Sequence, residues 1–247
     1  MTYCDAHIHL ARCSSLPPKR DYFAVSSCHT REDIAFLQDT YLASYGIHPQ
    51  AVSPSFMESR FSSELAFLEA LIASKRIVAI GECGFDFFTP EYKATAALQE
   101  TVFKAQLSLA LRYDIPLVLH LRKAIEKIFT YSRELKKLPA VIFHSFPGTL
   151  REAVSLKNHG LNAFFSFGKP ILNGKKSAID CVSHLPLEML LLETDAPYQT
   201  LKGETETYPD EIARVYEKAG EFRHLEQEQL SCEILLNFCR AFGKTVL

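Results

Sequence analysis

Short apolar runs alternate with amphipathic segments along the whole chain, and this alternation limits the possible folds more than any other feature. Eight of the runs are rich in β-branched or aromatic residues and are bounded by Gly, Pro or polar residues, as expected of strands buried on both faces. The predicted strands are 3–8, 22–26, 41–47, 77–81, 115–119, 140–143, 163–167 and 189–192. Strands that alternate with helical segments predict an α/β fold.

Segments with apolar residues three and four positions apart lie after these runs, as expected for amphipathic helices. They cover residues 30–37, 64–75, 95–113, 122–135, 148–158, 177–184, 209–222 and 226–242. Eight strands that alternate with eight helical segments predict a single (β/α)8 barrel of the TIM type. The rival fold, a doubly wound open sheet, usually has fewer strands and a Gly-rich phosphate loop. The nearest candidate for such a loop, residues 81–84, lacks the third glycine.

The composition constrains domain number, location and partners. We find no linker or like-charge block, so residues 1–247 are predicted to form one domain, and the net charge of −2 gives no broad basic face for nucleic acid. A bound metal could still supply positive charge. No run approaches the ~18 apolar residues of a membrane span, and the first residues lack the features of a signal peptide. The odd number of cysteines, seven, without a Cys-x-x-Cys pair, indicates reduced thiols in a cytoplasmic protein.

Polar residues at the ends of the predicted strands are the candidates for a functional site, because active sites of this barrel lie at the C-terminal ends of its strands. Six of the nine histidines fall at such ends, which favours a functional cluster. These are His7, His9, His29, His48, His120 and His144. His7 and His9 alternate along strand one and therefore face the same side. Two imidazoles inside a barrel need partners for their nitrogens, which favours ligation of an ion, although a polar strand edge would give the same pattern.

Two carboxylates also end apolar runs. Glu82 follows strand four and Asp195 follows strand eight, and a buried carboxylate requires a cation or a salt bridge in compensation. His120 and His144, each taken alone, could be simple hydrogen-bonded residues. Together, six side chains converge on one rim and could share two divalent ions. The six are His7, His9, Glu82, His120, His144 and Asp195. This donor set suits Zn²⁺, Mn²⁺, Fe²⁺ or Ni²⁺ better than Mg²⁺, which stays among the candidates.

Three further residues receive more local predictions. His48 faces the same opening and is predicted to contact the substrate. Lys169, at the end of strand seven, could bind a substrate phosphate or could simply end a strand at the surface. His29 lies beside the predicted N-cap Thr30 and is predicted to make a local contact at the helix start.

The assembled motifs resemble the TatD family of metal-dependent deoxyribonucleases, within the wider amidohydrolase superfamily. The matching segments are 5–9, 46–49, 79–86, 116–120, 143–148 and 192–198. The resemblance implies that one metal is held by His7, His9, Glu82 and Asp195. It also implies that Glu82 bridges to a second metal, held by His120 and His144. The carbamylated lysine that bridges metals elsewhere in the superfamily has no candidate on strand four, which disfavours dihydroorotase-like or urease-like chemistry.

The chain also departs from the family pattern. Gln50 stands where a second His or an aromatic residue usually follows Gly-x-His-Pro, and Pro147 replaces a usual Ser. The Arg-x-x-Asn-Glu-Pro loop after strand eight is missing, and the acidic segment 200–210 takes its place. These departures concern recognition of the substrate rather than the metal ligands.

The sequence therefore predicts a divalent-metal-dependent hydrolase of phosphodiester bonds, a TatD-like DNase that uses metal-activated water. Asp195 and Glu82 would be the catalytic residues, and single-stranded DNA or another phosphodiester would be the substrate. The alternative is a hydrolase of a small ester, amide or phosphoester, which the acidic segment and the low net charge support. The complete ligand set disfavours a barrel that only binds. No membrane association and no obligate protein partner are predicted, and a barrel of this size can act as a monomer.

Overall fold

The computed structural model describes residues 1–17, 21–37 and 41–243. Its eight strands are β1 (Tyr3–Ile8), β2 (Tyr22–Cys28), β3 (Leu42–Tyr45), β4 (Ala79–Asp86), β5 (Leu117–Arg122), β6 (Val141–Phe143), β7 (Ala163–Phe167) and β8 (Leu190–Leu192). The helices in these ranges are α1 (Arg31–Leu37), α2 (Pro54–Ser59), α3 (Phe61–Ala73), α4 (Pro90–Ala94), α5 (Ala96–Tyr113), α6 (Ile125–Phe129), α7 (Ser132–Leu135), α8 (Leu150–Asn158), α9 (Lys176–His184), α10 (Ile212–Arg223) and α11 (Gln227–Phe242). Short 3-10 helices add Leu10–Arg12, Pro49–Ala51, Lys169–Ile171, Leu187–Met189 and Pro209–Glu211.

The strands form one parallel sheet in the order of the sequence, from β1 to β8. Hydrogen bonds just beyond β8 bring the last strand back to the first: Asp195 N donates to His7 O at 2.9 Å, and His9 N donates to Ala196 O at 2.8 Å. A parallel eight-stranded sheet that returns to its first strand, with helices between the strands, is a (β/α)8 barrel. The predicted fold is confirmed.

The strands supply the interior of the barrel, and the last two helices pack against β1 and β8. All eight residues of β4 are buried, as are all those of β6, β7 and β8. Polar side chains help to fasten these helices to the barrel: Tyr216 OH pairs with the backbone of Cys4, and Asn237 Nδ2 donates to Leu190 O at 2.9 Å. In the described part of the chain, no helix combines the length and the apolar character needed to cross a membrane.

Several boundaries differ from the sequence-based prediction. Strand β4 continues to Asp86 and β5 continues to Arg122, so Glu82 and His120 project from within strands instead of following them. The predicted helix 122–135 is divided into α6 and α7. Helices α2 and α4 were not predicted, although both carry an ordinary start signal: a Ser or Thr N-cap that accepts a hydrogen bond, followed by Pro at the first helical position.

Candidate metal centre and active site

Glu82 lies at the centre of the predicted cluster and is 2% exposed. Its Oε1 lies 3.3 Å from His7 Nε2 and 3.5 Å from His9 Nε2. Its Oε2 lies 3.2 Å from His120 Nδ1 and 3.6 Å from His144 Nε2. Each carboxylate oxygen therefore faces a different pair of histidines, which is the arrangement that a carboxylate bridging two ions requires.

Asp195 completes the first half of the cluster. Its Oδ1 lies 3.2 Å from His9 Nε2 and 3.7 Å from His7 Nε2, and the two Nε2 atoms are 3.2 Å apart. Two ligand atoms that are each about 2.1 Å from a common ion, at a tetrahedral angle, are about 3.4 Å apart. Imidazole nitrogens and carboxylate oxygens converge here at that spacing, so the residues fit a bound transition metal.

Buried carboxylates orient His120 and His144, the two histidines that face Glu82 Oε2. His144 Nδ1 lies 3.0 Å from Glu193 Oε2, and His120 Nε2 lies 3.1 Å from Asp86 Oδ2. A carboxylate only accepts, so each of these nitrogens carries a ring hydrogen, and loss of the proton from the opposite nitrogen would leave a lone pair toward Glu82, as metal ligation requires. Asp86 and Glu193 are fully buried. They are the orienting partners that ligating histidines normally have.

Asp5 fastens the start of the cluster to the end of the barrel. Its carboxylate accepts hydrogen bonds from the backbone N–H groups of His7 and Thr194, at 3.2 and 3.0 Å, and from the Tyr22 hydroxyl at 2.8 Å. Burial raises the pKa of Asp5 to about 7, although hydrogen bonds from Thr194 and Tyr22 act to lower it. Asp5 therefore links β1 to the segment after β8, two residues before His7 in the chain.

Two further histidines approach Glu82 from the side of the cavity. His29 Nε2 lies 3.0 Å from Glu82 Oε1, and His48 Nε2 lies 3.8 Å from Glu82 Oε2. The two rings stack with their centroids 5.1 Å apart. The prediction for His29 was incomplete: its backbone N–H makes the expected helix-start contact, with Asp33 Oδ2 at 3.0 Å, but its side chain turns into the cluster. Its place at the end of β2 was the signal for this position.

The pKa values of the cluster residues reflect the close pairing of its carboxylates with its imidazoles. Burial alone would raise the pKa of Glu82, but the charges of His7 and His144 hold it well below its ordinary value. Burial would also raise the pKa of Asp195, but His144 and His9 lower it to about 2. Burial would lower the pKa of His144, but Glu193, Asp195 and Glu82 raise it to about 10. A proton on His144 thus balances charge that a divalent ion would balance instead, and metal binding would displace it.

A cavity of about 800 Å³ opens over the cluster. Its wall includes His48, Arg122, Lys175 and Tyr198 together with the ligand candidates. Burial lowers the pKa of His48 well below its ordinary value, so its imidazole is neutral. The position of His48 on this wall agrees with its predicted contact with the substrate, which stays a prediction.

Lys169 lines the cavity, as its predicted contact with a substrate phosphate would require, but it is not at the surface, the other position that the sequence allowed. It is 1% exposed, so it does not end its strand at the surface. Its Nζ donates to Glu211 Oε1 at 2.9 Å and also forms an ion pair with Glu204. Arg214 contacts the same two carboxylates, at 2.6 and 3.6 Å. The charge of Lys169 is thus used inside the protein, where it neutralises Glu204 of the loop after β8 and the adjacent Glu211. Sequence reasoning had no signal for this pairing.

Comparison with known proteins agrees with this geometry. The model of the family described as TatD related DNase matches residues 25–243. The chain belongs to the TatD family. The resemblance found in the sequence is therefore confirmed, and the protein is a metal-dependent hydrolase.

Relatives and solved structures of the TatD family cover much of the chain. An uncharacterized metal-dependent hydrolase, YabD of Bacillus subtilis, is 31% identical over 186 residues, which span 72% of this chain and 70% of YabD. A 3'-5' ssDNA/RNA exonuclease TatD from Edwardsiella piscicida is 36% identical over 160 residues, 63% of this chain and 58% of that protein. The crystal structure of the TatD homolog YJJV from Escherichia coli superimposes with a TM-score of 0.83 at 25% identity, covering 98% of both chains.

Proposed function

We propose that this TatD-family hydrolase cleaves phosphodiester bonds in single-stranded nucleic acid, DNA in the first instance, with two divalent ions at Glu82. The proposal rests on the two oxygens of the Glu82 carboxylate, which face different histidines. Oε1 faces His7 and His9, and Oε2 faces His120 and His144. The relative from Edwardsiella piscicida, named as an exonuclease of single-stranded DNA and RNA, supports the choice of substrate.

The two ions are assigned to the two halves of the cluster. His7, His9, Glu82 and Asp195 would hold the first ion, and Glu82, His120 and His144 the second. A donor set of imidazoles and carboxylates favours Zn²⁺, Mn²⁺, Fe²⁺ or Ni²⁺ over Mg²⁺. When bound, such ions lower the pKa of a water molecule toward neutrality and stabilise negative charge on the phosphoryl group.

Asp195 is the proton acceptor in this proposal. Its pKa of about 2 leaves it ionised at neutral pH, and its carboxylate lies on the cavity wall. As a weak base, it could take a proton only from a water molecule whose own pKa bound ions would lower, with its other contacts holding it in place. Glu82 lies deeper and is surrounded by imidazoles, so its task is to hold the ions.

The neutral His48 can contact the substrate. Its Nδ1 accepts a hydrogen bond from the backbone N–H of Gln50 at 3.2 Å, so its Nε2 carries the ring hydrogen and can donate it. Because Lys169 is buried in an internal ion pair, Arg122 and Lys175 are the cations on the cavity wall that we assign to the substrate phosphates.

We extend the proposal to the organisation of the protein. The whole chain, 1–247, would act as a single catalytic domain, since one apolar core joins residues from the first strand to the last helix. All seven cysteines are free thiols, which supports a cytoplasmic location.

The test is cleavage of a labelled single-stranded oligonucleotide with an accessible 3′ end. Protein stripped with EDTA is reloaded with each divalent metal, and Asp195→Asn is assayed alongside. We expect metal-restored shortening of the strand, reduced at least 100-fold in Asp195→Asn while its melting temperature stays close to wild type. Hydrolysis of small esters without cleavage of the strand would overturn the proposal and favour a small-substrate hydrolase.

A further inference from the structure

Gln199 makes a contact with the catalytic carboxylate that neither the sequence motifs nor the ligand set explains. Its Nε2 donates to Asp195 Oδ2 at 2.8 Å and to Ser145 Oγ at 2.8 Å. The carboxylate can only accept, which fixes the orientation of the amide. Both amide hydrogens are therefore used, one on Asp195 and one on the residue that follows His144.

The contact divides the two oxygens of Asp195 between two tasks. Oδ1 faces His9 Nε2 at 3.2 Å and His7 Nε2 at 3.7 Å, whereas Oδ2 is held by Gln199. The two oxygens are equivalent, so the hydrogen bond fixes the plane of the carboxylate: a partial rotation about the Cβ–Cγ bond would break the contact with Gln199 and would turn the other oxygen away from the histidines. Gln199 thus fixes the orientation in which one carboxylate oxygen faces the two histidines.

The backbone that carries these residues has an uncommon conformation. Ser145, Asp195 and Gln199 have φ values of 43°, 56° and 53°, in the left-handed region that non-glycine residues rarely adopt. One amide group connects all three of them. Such a constellation is maintained only when the surrounding structure defines it.

The loop that presents Gln199 is fastened by Lys169. Glu204 accepts a hydrogen bond from Leu201 N at 2.8 Å, closing a turn two residues after Gln199, and it also pairs with Lys169. Farther along the loop, Glu211 accepts from Tyr208 N at 3.0 Å and from Lys169 Nζ at 2.9 Å. The buried lysine therefore anchors the loop at two points.

We infer that Gln199 is a positioning residue for Asp195, holding Oδ2 so that Oδ1 faces His7 and His9, and that the pairing of Lys169 with Glu204 and Glu211 keeps the loop in the conformation that presents it. Gln199 acts through Asp195 rather than on the substrate. The inference rests on the proposed function, because the metal centre that Asp195 serves is part of that proposal.

The test compares Gln199→Met, which keeps the length of the side chain and removes the donor, with Gln229→Met on the exposed surface of α11 as the matched control. Metal-free protein is titrated with Co²⁺ alone, and affinity and visible absorption spectrum are recorded. The kcat and KM for the oligonucleotide are then measured separately. Melting temperatures show that each variant is folded.

Loss of an outer hydrogen bond to a metal-site group typically lowers metal affinity or activity 10–100-fold. We expect Gln199→Met to bind Co²⁺ about tenfold more weakly, with an altered spectrum, and to lose kcat at least tenfold with KM changed less than twofold. Gln229→Met should match wild type. A Gln199→Met protein with wild-type Co²⁺ affinity, spectrum and kcat would overturn the inference.

A second variant keeps the test decisive if Gln199→Met does not fold. Ser145→Ala removes the other acceptor of the same amide, and we expect a smaller change of Co²⁺ affinity and spectrum in the same direction. An unchanged Ser145→Ala spectrum would then count against the inference. Wild-type protein that binds Co²⁺ without cleaving the strand would refute the proposed function alone, because the Co²⁺ spectrum still tests Gln199. Wild-type protein that binds no Co²⁺ would refute both.

Discussion

The glutamate behind His144 offers a sharp test of how the histidines are oriented. Glu193 is fully buried and accepts from His144 Nδ1 at 3.0 Å and from Ser145 N at 2.9 Å. In Glu193→Gln the amide oxygen can keep the contact with Ser145, but the amide NH₂ then meets His144 Nδ1. The ring must shift its hydrogen to Nε2, the nitrogen that faces Glu82, and an Nε2 that carries hydrogen cannot bind a metal.

The expected magnitude follows from this change of tautomer. Outer-shell partners of ligating histidines contribute about 10–100-fold in metal affinity, which corresponds to about 1.4–2.7 kcal/mol. Only the ion held by His144 is affected directly, because His7 and His9 belong to the other half of the cluster. We therefore expect one of two ions to bind 10–100-fold more weakly, and the other to change little.

Isothermal titration calorimetry of metal-free protein with Zn²⁺ or Mn²⁺ measures both affinities in one experiment. Glu188→Gln is the control, since the Glu188 carboxylate is exposed and forms a surface ion pair with Lys157 at 3.5 Å. Two affinities within twofold of wild type in Glu193→Gln would refute the assigned orientation of His144.

Two further predictions concern the stability of the fold. Lys169→Met removes the buried one of the two cations that Glu204 and Glu211 share. Removing one partner of a fully buried pair costs about 3–5 kcal/mol, and we expect roughly 2–3 kcal/mol here because Glu204 is partly exposed and Arg214 remains. Thermal melting should fall by about 5–10 °C, whereas loss of the exposed Lys157 should cost less than about 1 kcal/mol; equal losses would contradict the assigned clamp. In EDTA-treated protein, the pKa of His144 is raised to about 10 from its ordinary value of 6.5. The His144 proton therefore stabilises the folded state fully below the pKa of the unfolded chain, and this stabilisation is lost as the pH rises toward 10. Melting temperatures between pH 7 and 10 should therefore fall more steeply in wild type than in Glu193→Gln, and parallel slopes would contradict the cause assigned to the shift.

The architecture and the donor set were predictable because they depend on local patterns. Apolar runs marked every strand, and the barrel places the ends of parallel strands on one rim. The six residues proposed as ligands were found in this way, and the structure brings them together around Glu82. Their binding of metal stays a prediction.

The partners of these residues were not predictable, because they come from distant parts of the chain. Glu193 lies 49 residues from His144, and Asp86 lies 34 residues from His120. Both carboxylates belong to recognised strand-end motifs, but sequence does not reveal which face of the strand a side chain takes when the strand continues, as β4 does to Asp86. The burial of Lys169 depends on Glu204 and Glu211, 35 and 42 residues away.

The ion pairs of the acidic loop after β8 change what the loop indicates about the substrate. In the sequence, segment 200–210 favoured a small substrate, because a row of acidic residues would repel a phosphate backbone. In the structure, Glu204 of this segment and the adjacent Glu211 are paired with Lys169 and Arg214, and Glu206 accepts a hydrogen bond from Ser14. The objection to a nucleic-acid substrate is correspondingly weaker, and the cavity wall still carries Arg122 and Lys175.

The most direct test of the account is an anomalous difference map from crystals of Mn²⁺-loaded or Zn²⁺-loaded protein. We predict two peaks, one between Glu82 and the His7–His9–Asp195 group and one between Glu82 and the His120–His144 pair, with a carboxylate oxygen of Glu82 toward each. A single peak, or peaks that do not contact Glu82, would contradict the claim that Glu82 bridges two ions.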